Sequence, residues 1–535
     1  MNQSWISPAV AIHRRARTSG GDPALHYEDG TLTFAEISHR VRQLATILAA
    51  GGLRRGDRVA YLGLNSPLFL ETLLAAAHLG AVFVPLNFRL AADEVAYLLA
   101  DAGCHSLVVE PGHRELVEGI VRSDPGSIPV RRCYLDGKAP GSSREMWRSL
   151  TGDTADGTAP EAVEPDDADI AMLMYTSGTT GRPKGVILTY GNLWWNQANV
   201  HAAVDIRPRE ATLAVAPLFH IGGLNAFTLG VLVRGGAVVL HRRFDPQTCL
   251  RDVARHRVAS MFMVPIMYAA LLRCEEFATT DLSSLRAAVV AGAPVPPALV
   301  TEYAGRGVAL QQAWGLTETA PFATHLPPEL VRTHPASAGF AMPYSEVRVV
   351  HPETGSPLTL PDAQGELCVR GPNVTPGYWN DPEATRAAFD ADGWFHTGDL
   401  GHLDERGLCF VVDRIKDLII SGGENISPAE IERVLAELPH VRDVAVVGLP
   451  HSEWGETPVA VLCPGEGTAP TLDEVRDFAA KALARFKWPS RLLCLEALPR
   501  NAAGKIDRAA VRALAAAAFG PAARCEPFTA ESRTQ

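Results

Sequence analysis

The sequence predicts an α/β fold with a large lobe and a smaller one, and three observations support this. From Arg58 to Leu86 a β-rich run (RVAYLG) leads through a helical stretch (SPLFLETLLAAAHLG) to a second β-rich run (AVFVPL), which is the pattern of a βαβ unit. Five later β-rich runs, EATLAVAP, AVVLHRRF, ASMFMVP, LRAAVVAG and VALQQAW, lie next to segments of helix length. This alternation predicts parallel sheets covered by helices. The third observation is a change of texture near Ser345, with renewed alternation from Ile415.

These changes divide the chain into segments. Residues 1–414 are expected to form the large lobe, and short strands with Gly-rich turns predict a β-rich subdomain at about 345–414. Residues 415–417 lie between the two lobes. Residues 418–518 predict a small α+β lobe, in which SPAEIERVLAEL and LDEVRDFAAKALARF are helices and VRDVAVVGL and TPVAVLCPG are strands. The stretch 519–535 lacks periodicity and is predicted to be a flexible tail.

Composition excludes several classes of protein. The 535 residues are 47% apolar and 20% charged, which is typical of a globular protein with a large core. The net charge of −11 would repel polyanions, so nucleic acid is not an expected partner. There is no apolar run long enough to span a bilayer and no apolar signal-peptide core at the start, so we expect a cytoplasmic protein without a membrane span. The nine cysteines form no CxxC pair and are expected to be buried thiols rather than disulfides or metal ligands.

The strongest local signal is the segment YTSGTTGRPKG, residues Tyr175 to Gly185. An apolar strand runs into it, and a helix is expected to follow. Glycines let backbone N–H groups turn inward around an anion, hydroxyls add donors, and a lysine places a positive charge on phosphate oxygens. The segment differs from the Walker type because Gly185 stands where a Ser or Thr would hold Mg²⁺. It predicts a phosphate cradle formed by Thr176, Ser177, Gly178, Thr179, Thr180, Gly181 and Lys184.

With this motif the sequence resembles the adenylate-forming ligases, the superfamily of acyl-CoA synthetases, firefly-type luciferases and peptide-synthetase adenylation domains. The resemblance covers almost the whole chain, because further motifs follow in the family's order. They are PLFHIGG, VVAGAPV, AWGLTET, GELCVRGPNVTPGYWN, GWFHTGDL, VVDRIKDLIISGGENISPAEIE and PRNAAGKIDR. The resemblance implies an ATP-binding large lobe and a mobile small lobe.

The resemblance implies roles for residues of the large lobe. Glu318 resembles the carboxylate that binds Mg²⁺, an ion that needs one or two carboxylates beside phosphate oxygens. Thr317 resembles the hydroxyl donor to the AMP phosphate. Trp314 stands where the family usually has Tyr, and it keeps a flat face for adenine. The other positions that match the nucleotide site are Gly292, Ala293, Pro294 and Gly315.

The resemblance also implies roles for residues near and within the small lobe. Asp399 resembles the acceptor of the ribose hydroxyls, and Arg414 resembles a second ribose contact. Lys505 resembles the catalytic lysine that bridges the acyl carboxylate and the α-phosphate, where an ammonium would offset the repulsion of two anions. Lys416 falls at the family's hinge, which the resemblance assigns to residues 415–417.

The thiol path is implied by three positions. His220 lies where relatives carry an aromatic residue or His, beside the carboxylate and at the mouth of the thiol tunnel. Gly422 and Gly423 fall beside the pantetheine path of CoA-using relatives. Peptide-synthetase domains place Asp near His220 to pair with an α-amino group, and the next Asp here is Asp245, which disfavours an amino-acid substrate.

The function that the resemblance implies is an AMP-forming acyl-CoA synthetase with ATP, Mg²⁺ and CoA as cofactors and cosubstrates. The apolar pocket segments favour a fatty or aryl acid over a dicarboxylate. Alternatives are transfer to a carrier protein, an unusual acid such as nitrite, and a nucleotide-binding relative without chemistry. A carrier protein and a second copy of the chain are the further candidate partners.

Overall fold

The computed structural model describes residues 7–123, 128–135, 147–150, 160–176, 182–421, 424–451, 454–465, 469–501 and 504–520. The chain divides into two compact units, one of residues 1–397 with 401–411 and one of residues 398–400 with 412–535. Each unit is described by itself below.

The described strands and helices follow one another in the order that the sequence texture indicates. The strands are β1 (Pro23–Tyr27), β2 (Gly30–Thr33), β3 (Arg58–Leu62), β4 (Val82–Leu86), β5 (Cys104–Val109), β6 (Arg132–Leu135), β7 (Trp147–Ser149), β8 (Ile170–Thr176), β9 (Lys184–Thr189), β10 (Thr212–Ala214), β11 (Val238–Leu240), β12 (Ser260–Met263), β13 (Ala287–Val290), β14 (Leu310–Gly315), β15 (Phe322–His325), β16 (Phe340–Ala341), β17 (Glu346–Val350), β18 (Gly365–Arg370), β19 (Phe395–Leu403), β20 (Cys409–Arg414), β21 (Ile419–Ser421), β22 (Glu424–Ile426), β23 (Val441–His451), β24 (Gly455–Pro464) and β25 (Arg491–Cys494). The α-helices are α1 (Pro8–Thr18), α2 (Phe34–Ala50), α3 (Pro67–Leu79), α4 (Ala92–Ala102), α5 (Arg114–Ser123), α6 (Tyr190–Ala203), α7 (Ile221–Asn225), α8 (Thr228–Val233), α9 (Pro246–Arg255), α10 (Pro265–Leu272), α11 (Pro297–Gly305), α12 (Pro382–Ala388), α13 (Pro428–Leu435), α14 (Leu472–Ala479) and α15 (Arg508–Phe519).

The larger of the two mainly parallel sheets has the strand order β16-β15-β14-β13-β12-β10-β11-β1-β2. Strands β1, β11, β10, β12, β13 and β14 are parallel, and antiparallel strands flank them on both sides. The five β-rich runs of the sequence are β10 to β14. Their carboxyl ends therefore meet at one edge of the sheet, where α/β proteins place their ligands.

The second mainly parallel sheet has the order β7-β6-β5-β3-β4-β8-β9. The βαβ unit read from the sequence is β3, α3 and β4, with the two strands parallel and in register from Arg58 opposite Val82. A core of apolar side chains from α1, α2 and α3 packs with residues of both sheets, including Leu25, Tyr61 and Met174. This core holds the two sheets together in the first unit.

The structure corrects one local expectation about the phosphate segment. Strand β8 is followed by the antiparallel strand β9, with Thr176 opposite Lys184, and helix α6 begins only at Tyr190. The run Val186-Ile187-Leu188 has the branched apolar residues that favour a strand. Thr189 then starts the helix, because its hydroxyl accepts the Asn192 N–H at 3.1 Å while the Asn192 amide oxygen accepts the Thr189 N–H at 3.0 Å.

The change of texture near residue 345 corresponds to a four-stranded sheet in the order β17-β18-β19-β20. Strands β17 and β18 are antiparallel, with Arg348 opposite Cys368. The later alternation gives a sheet in the order β22-β21-β24-β23, with β25 parallel to β24. Helices α13 and α14 bury Ile431, Leu435 and Val475 in its core. The predicted α/β class, with a large and a small part, is confirmed.

Three expectations about the whole chain can be compared with this fold. Among the described helices, none has both the length and the apolar character that a bilayer crossing requires. All eight cysteines in the described part of the chain are free thiols, as expected; six of them are buried, but Cys274 is half-buried and Cys494 is exposed. Helix α15 ends at Phe519, and residues 521–535, most of the expected tail, lie outside the described residues.

Candidate active site

The carboxyl ends of four parallel strands bring the predicted large-lobe residues to one edge. The loop after β10 carries His220, the loop after β13 carries Gly292, and β14 ends at Gly315. A Cβ placed on Gly292 would lie 3.4 Å from the Val264 side chain, which follows β12. Ala293 and Pro294 continue this loop as exposed residues. The sequence therefore places its candidate residues on neighbouring loops of one sheet edge.

Glu318 is held in a tight turn directly after β14. Residues Thr317–Thr319 form a single 3₁₀ turn, and the Leu316 N–H donates to the Thr319 hydroxyl at 2.9 Å. A Cβ on Gly315 would lie 1.9 Å from the Pro321 carbonyl oxygen, so the chain can fold back here only at a glycine. The turn leaves Glu318 with 8% of its surface exposed.

Tyr378, which the sequence analysis did not single out, connects Glu318 to the β8–β9 hairpin, called the phosphate hairpin below. The Tyr378 hydroxyl donates to Oε1 of Glu318 at 3.0 Å. The Lys184 ammonium lies over the Tyr378 ring, 5.3 Å from its centroid, and 3.9 Å from a carboxylate oxygen of Asp381. The structure thus brings together Lys184 and Glu318, which are 134 positions apart. Tyr378 lies in PGYWN, a motif that carried the resemblance but received no role.

A segment of residues 371–379, which we call the brace, fixes this geometry. The Thr375 N–H donates to the Glu318 carbonyl oxygen at 2.8 Å, and its hydroxyl donates to the Ile187 carbonyl oxygen of β9 at 2.5 Å. The Asn373 amide donates to the Thr319 carbonyl at 2.8 Å. Backbone atoms on both sides of the site are therefore tied to one segment, and neither side can shift without breaking these bonds.

Trp314 has a packing role in addition to the role expected for it. The residue is 8% exposed and packs in an apolar cluster with Val349, Leu367, Val369 and other side chains of the four-stranded sheet. Much of the indole surface is thus used to join β14 to that sheet. An adenine contact through the remaining surface stays a prediction.

Aromatic and apolar groups surround His220, where the resemblance places the acid. His220 is half-buried at the start of α7, and its ring centroid is 4.4 Å from that of Phe219, which contacts Phe88 at 5.5 Å. A Cβ on Gly222 would lie 2.6 Å from the ring of Phe262, which is half-buried on β12. The Phe262 ring and α7 therefore fit closely only because residue 222 has no side chain.

In the second unit three predicted residues form an ionic cluster. Arg414 Nε lies 2.5 Å from a carboxylate oxygen of Asp399, which is 4% exposed. The pKa of Lys505 is lowered, first because neighbouring groups remove water from around the ammonium, although the residue as a whole is exposed, and next by the positive charge of Arg414. The Asp399 carboxylate acts in the opposite direction. Lys505 therefore lies close to both predicted ribose contacts.

The predicted hinge residue is flanked by anchored residues. Lys416 is exposed in the 3₁₀ turn Ile415–Asp417. Before it, Asp413 accepts hydrogen bonds from the Ser427 hydroxyl at 2.6 Å and the Ala429 N–H at 2.9 Å. After it, Asp417 lies 3.7 Å from Arg508. The contacts on both sides of Lys416 lie within the second unit, and the hinge role of Lys416 stays a prediction.

Seven predicted positions lie outside the described residues: Ser177, Gly178, Thr179, Thr180, Gly181, Gly422 and Gly423. Their flanking residues are described. Thr176 and Lys184 face each other across the β8–β9 hairpin, so the phosphate segment connects two paired strands.

Comparison with known proteins identifies the family of the chain. The profile of AMP-binding enzymes matches residues 12–379, and that of the AMP-binding enzyme C-terminal domain matches residues 430–505. The chain belongs to the AMP-binding enzyme family. A feruloyl-CoA synthase of an Amycolatopsis species is 43% identical, over 93% of this chain and 97% of that protein. An indoleacetate–CoA ligase of Aromatoleum aromaticum is 39% identical, over 94% and 97%.

A solved structure gives the same result for the fold. The o-succinylbenzoate CoA synthetase of Bacillus subtilis, in complex with its acyl-adenylate intermediate, superposes with a TM-score of 0.83 at 33% identity over 94% of this chain and 97% of that one. The family and enzyme class expected from the sequence are confirmed. The chain is an AMP-forming acyl-CoA synthetase, an acid–thiol ligase that binds ATP and AMP.

The buried carboxylate gives a first prediction. Glu318→Gln keeps the shape of the side chain and removes its charge, so ATP–pyrophosphate exchange should fall by roughly 10²-fold or more. Added Mg²⁺ should restore little of it. The control is Glu329→Gln, which changes an exposed glutamate and should leave the exchange rate as in the parent chain. A Glu318→Gln enzyme with parental kcat/KM would show that this carboxylate does not act on the metal or the phosphates.

The Tyr378 hydrogen bond gives a second prediction. Tyr378→Phe removes a donor to a carboxylate and keeps the ring under Lys184, so kcat/KM for ATP should fall by about tenfold. Tyr344→Phe, at an exposed tyrosine, is the matched control. Equal kinetics of the two variants would mean that Tyr378 does not position Glu318 for the reaction.

Proposed function

We propose that the chain activates an aromatic carboxylic acid in two half-reactions. In the first, a carboxylate oxygen attacks the α-phosphorus of ATP, the bond to pyrophosphate breaks, and the acyl-adenylate forms. In the second, the CoA thiolate attacks the acyl carbon, the bond to AMP breaks, and the thioester forms. The observation that carries this proposal is the connected set of Lys184, Tyr378 and Glu318 at the edge that bears His220.

The acid class is supported by the charge of the acid side. In the segments that line it, residues 217–225, 261–266, 290–293 and 314–318, the ionisable side chains are His220 and Glu318. A second carboxylate on the substrate would find no Lys or Arg there and would be desolvated without a partner. The half-buried Phe262 offers a ring for an apolar body. The names of the two curated relatives, a feruloyl-CoA synthase and an indoleacetate–CoA ligase, indicate aromatic acids.

The residues also fit a magnesium ion. Mg²⁺ takes hard oxygen ligands and uses one or two carboxylates beside substrate phosphates, and Glu318 is a buried carboxylate close to the phosphate hairpin. When bound, the ion would offset the negative charge of the phosphates. The chain's own part is to orient Glu318 through Tyr378 and the brace, and to place the Lys184 ammonium near the phosphates.

We assign Lys505 to the first half-reaction. Attack of a carboxylate on a phosphate brings two anions together, and a positioned ammonium lowers the energy of that transition state. Asp399 and Arg414, which lie close to it, would hold the ribose hydroxyls. The second half-reaction needs room for the thiol, so we assign to Lys416 the pivot that takes the Lys505 loop away.

This division of labour gives the third prediction. Lys505→Ala should slow acyl-adenylate formation by roughly 10²- to 10³-fold and leave thioester formation from synthetic acyl-adenylate nearly unchanged. Lys416→Pro restricts φ at the proposed pivot and should do the reverse. Single-turnover assays of each half-reaction measure both, with Lys481→Ala, an exposed lysine of the same unit, as control. Equal slowing of both steps by Lys505→Ala, or no effect of Lys416→Pro on either, would contradict the assignment.

The acid side gives the fourth prediction. Gly222→Ala pushes a methyl group against the Phe262 ring, so kcat/KM for aromatic acids should fall while KM for ATP stays within about twofold. A panel of aryl, fatty and dicarboxylic acids, and nitrite, is assayed for AMP release with the parent chain. Highest kcat/KM for a fatty acid or an oxyacid in that panel would refute the aromatic class.

His220→Ala should likewise impair acid positioning or thioester formation more than ATP binding.

The acceptor is tested in the same assay. When free CoA is added to the enzyme-bound acyl-adenylate, AMP should be released in a single turnover. A holo carrier protein, the alternative acceptor, is added in a parallel reaction. A homodimer and a cytoplasmic location stay predictions, to be tested by light scattering and by fractionation.

A further inference from the structure

A second cluster of reactive side chains lies on the four-stranded sheet, wholly within the first unit. Glu366 and Cys368 alternate with Leu367 on β18 and therefore lie on the same face of the sheet. His396, near the start of β19, lies beside them. Its Nδ1 is 2.8 Å from Oε2 of Glu366 and 3.6 Å from Sγ of Cys368. These three atoms all lie within 4.8 Å of one another.

The distances match those between ligands of one small ion. In a tetrahedral zinc site with bonds of about 2.0 to 2.3 Å, neighbouring ligand atoms are about 3.3 to 3.6 Å apart. The sulfur–nitrogen pair already has this spacing. The nitrogen–oxygen pair is shorter because it is now a hydrogen bond, and it would open by about half an ångström around an ion.

The burial of the cluster is that of an enclosed site with one open side. Cys368 is fully buried, Glu366 is 9% exposed, and a quarter of the His396 side chain is accessible. Burial raises the pKa of the Cys368 thiol to about 12 even though Arg348 acts in the opposite direction, so the thiol is protonated at neutral pH. An ion entering from the imidazole side would find three ligands and keep a fourth position for water.

The neighbouring charges are already neutralised in pairs. Arg348 contacts the Cys368 side chain, but its guanidinium is bound to the Asp390 carboxylate and lies over the Trp394 ring, 4.3 Å from the centroid. Arg370 lies over the same ring and is paired with Glu346. Because each guanidinium is paired with a carboxylate, neither arginine would strongly repel an incoming metal ion.

We propose that Glu366, Cys368 and His396 form a binding site for one zinc-like transition-metal ion, distinct from the magnesium at Glu318. A thiolate and an imidazole select Zn²⁺, Co²⁺ or Cd²⁺ over Mg²⁺, which prefers oxygen. On binding, the thiol proton leaves to solvent, and the imidazole coordinates through Nδ1 with its proton on Nε2. The thiolate and the carboxylate balance the two charges of the ion, and nothing is oxidised or reduced.

The site would tie β18 to β19 through side chains in addition to their backbone. Because the ion binds the folded chain, it should raise the melting temperature by an amount that grows with its concentration. This stabilisation does not depend on ATP, CoA or an acid. The metal-site proposal can therefore fail while the proposed catalytic function holds, and the catalytic function can fail while the metal site holds.

The test uses the full chain, freed of metal by a chelator and dialysed. Titration with Co²⁺ should give one ion per chain and the near-ultraviolet charge-transfer band of a cobalt–thiolate bond. Cys368→Ser and His396→Gln should each weaken binding by more than about 100-fold, beyond the effect of losing an outer-shell partner. Cys409→Ser is the matched control, because Cys409 is a buried thiol of the same sheet that packs on the opposite face with Trp314.

Melting curves recorded without metal show whether each variant is folded, and His396→Gln keeps the test valid if Cys368→Ser does not fold. The supporting result is a metal-dependent rise in melting temperature in the parent and in Cys409→Ser that is lost in His396→Gln. A cobalt complex without the thiolate band, or equal Co²⁺ affinity in the parent and His396→Gln, would overturn the proposal. Stabilisation by Mg²⁺ equal to that by Zn²⁺ would also overturn it.

Discussion

The fixed position of the Glu318 carboxylate is the constraint on which the rest of the first unit's site depends. A buried carboxylate is costly unless it is hydrogen-bonded, and here a tyrosine hydroxyl and a tight turn hold it. The turn requires that residue 315 be glycine. The brace in turn bonds the backbone of the turn and of β9. One segment, far along the chain from either, thus sets the distance between the carboxylate and the phosphate hairpin.

In the second unit, three charged side chains lie close together. Asp399 is buried and would be unstable as an anion alone, and Arg414 offsets its charge. The same arginine disfavours the charged form of Lys505, while Asp399 favours it. A negative ligand near this cluster would relieve the repulsion between the two cations. In the proposed mechanism a nucleotide phosphate would supply that negative charge.

Much of the fold and of the candidate site could be predicted from the sequence, and the features that were missed have physical reasons. Alternating apolar runs predicted the parallel strands β10 to β14, because buried parallel strands require such runs. The hairpin after Thr176 was mistaken for a strand–helix junction, since the short strand β9 lies between the glycines and the helix and its length is set by pairing with β8. Tyr378 was missed because its partner Glu318 is 60 positions away. The contact between Cys368 and His396 was likewise missed, because the cysteines were judged by spacing along the chain and these two residues meet across two strands.

The two candidate cation sites illustrate how the chain separates ions by ligand chemistry. Glu318 presents oxygen beside a phosphate hairpin, and the cluster of Glu366, Cys368 and His396 presents sulfur and nitrogen beside oxygen. Hard and soft ligands that shared one cavity would let zinc displace magnesium, because most nitrogen and sulfur sites bind zinc more tightly. On the proposed acid side, the segments around His220 and Phe262 carry no Lys, Arg or Cys, and their sulfur atoms are the thioethers of Met261 and Met263. Under the proposed function, the acid would therefore meet charged groups at its carboxylate end alone, and the shape of the pocket and the Phe262 ring would select its apolar body.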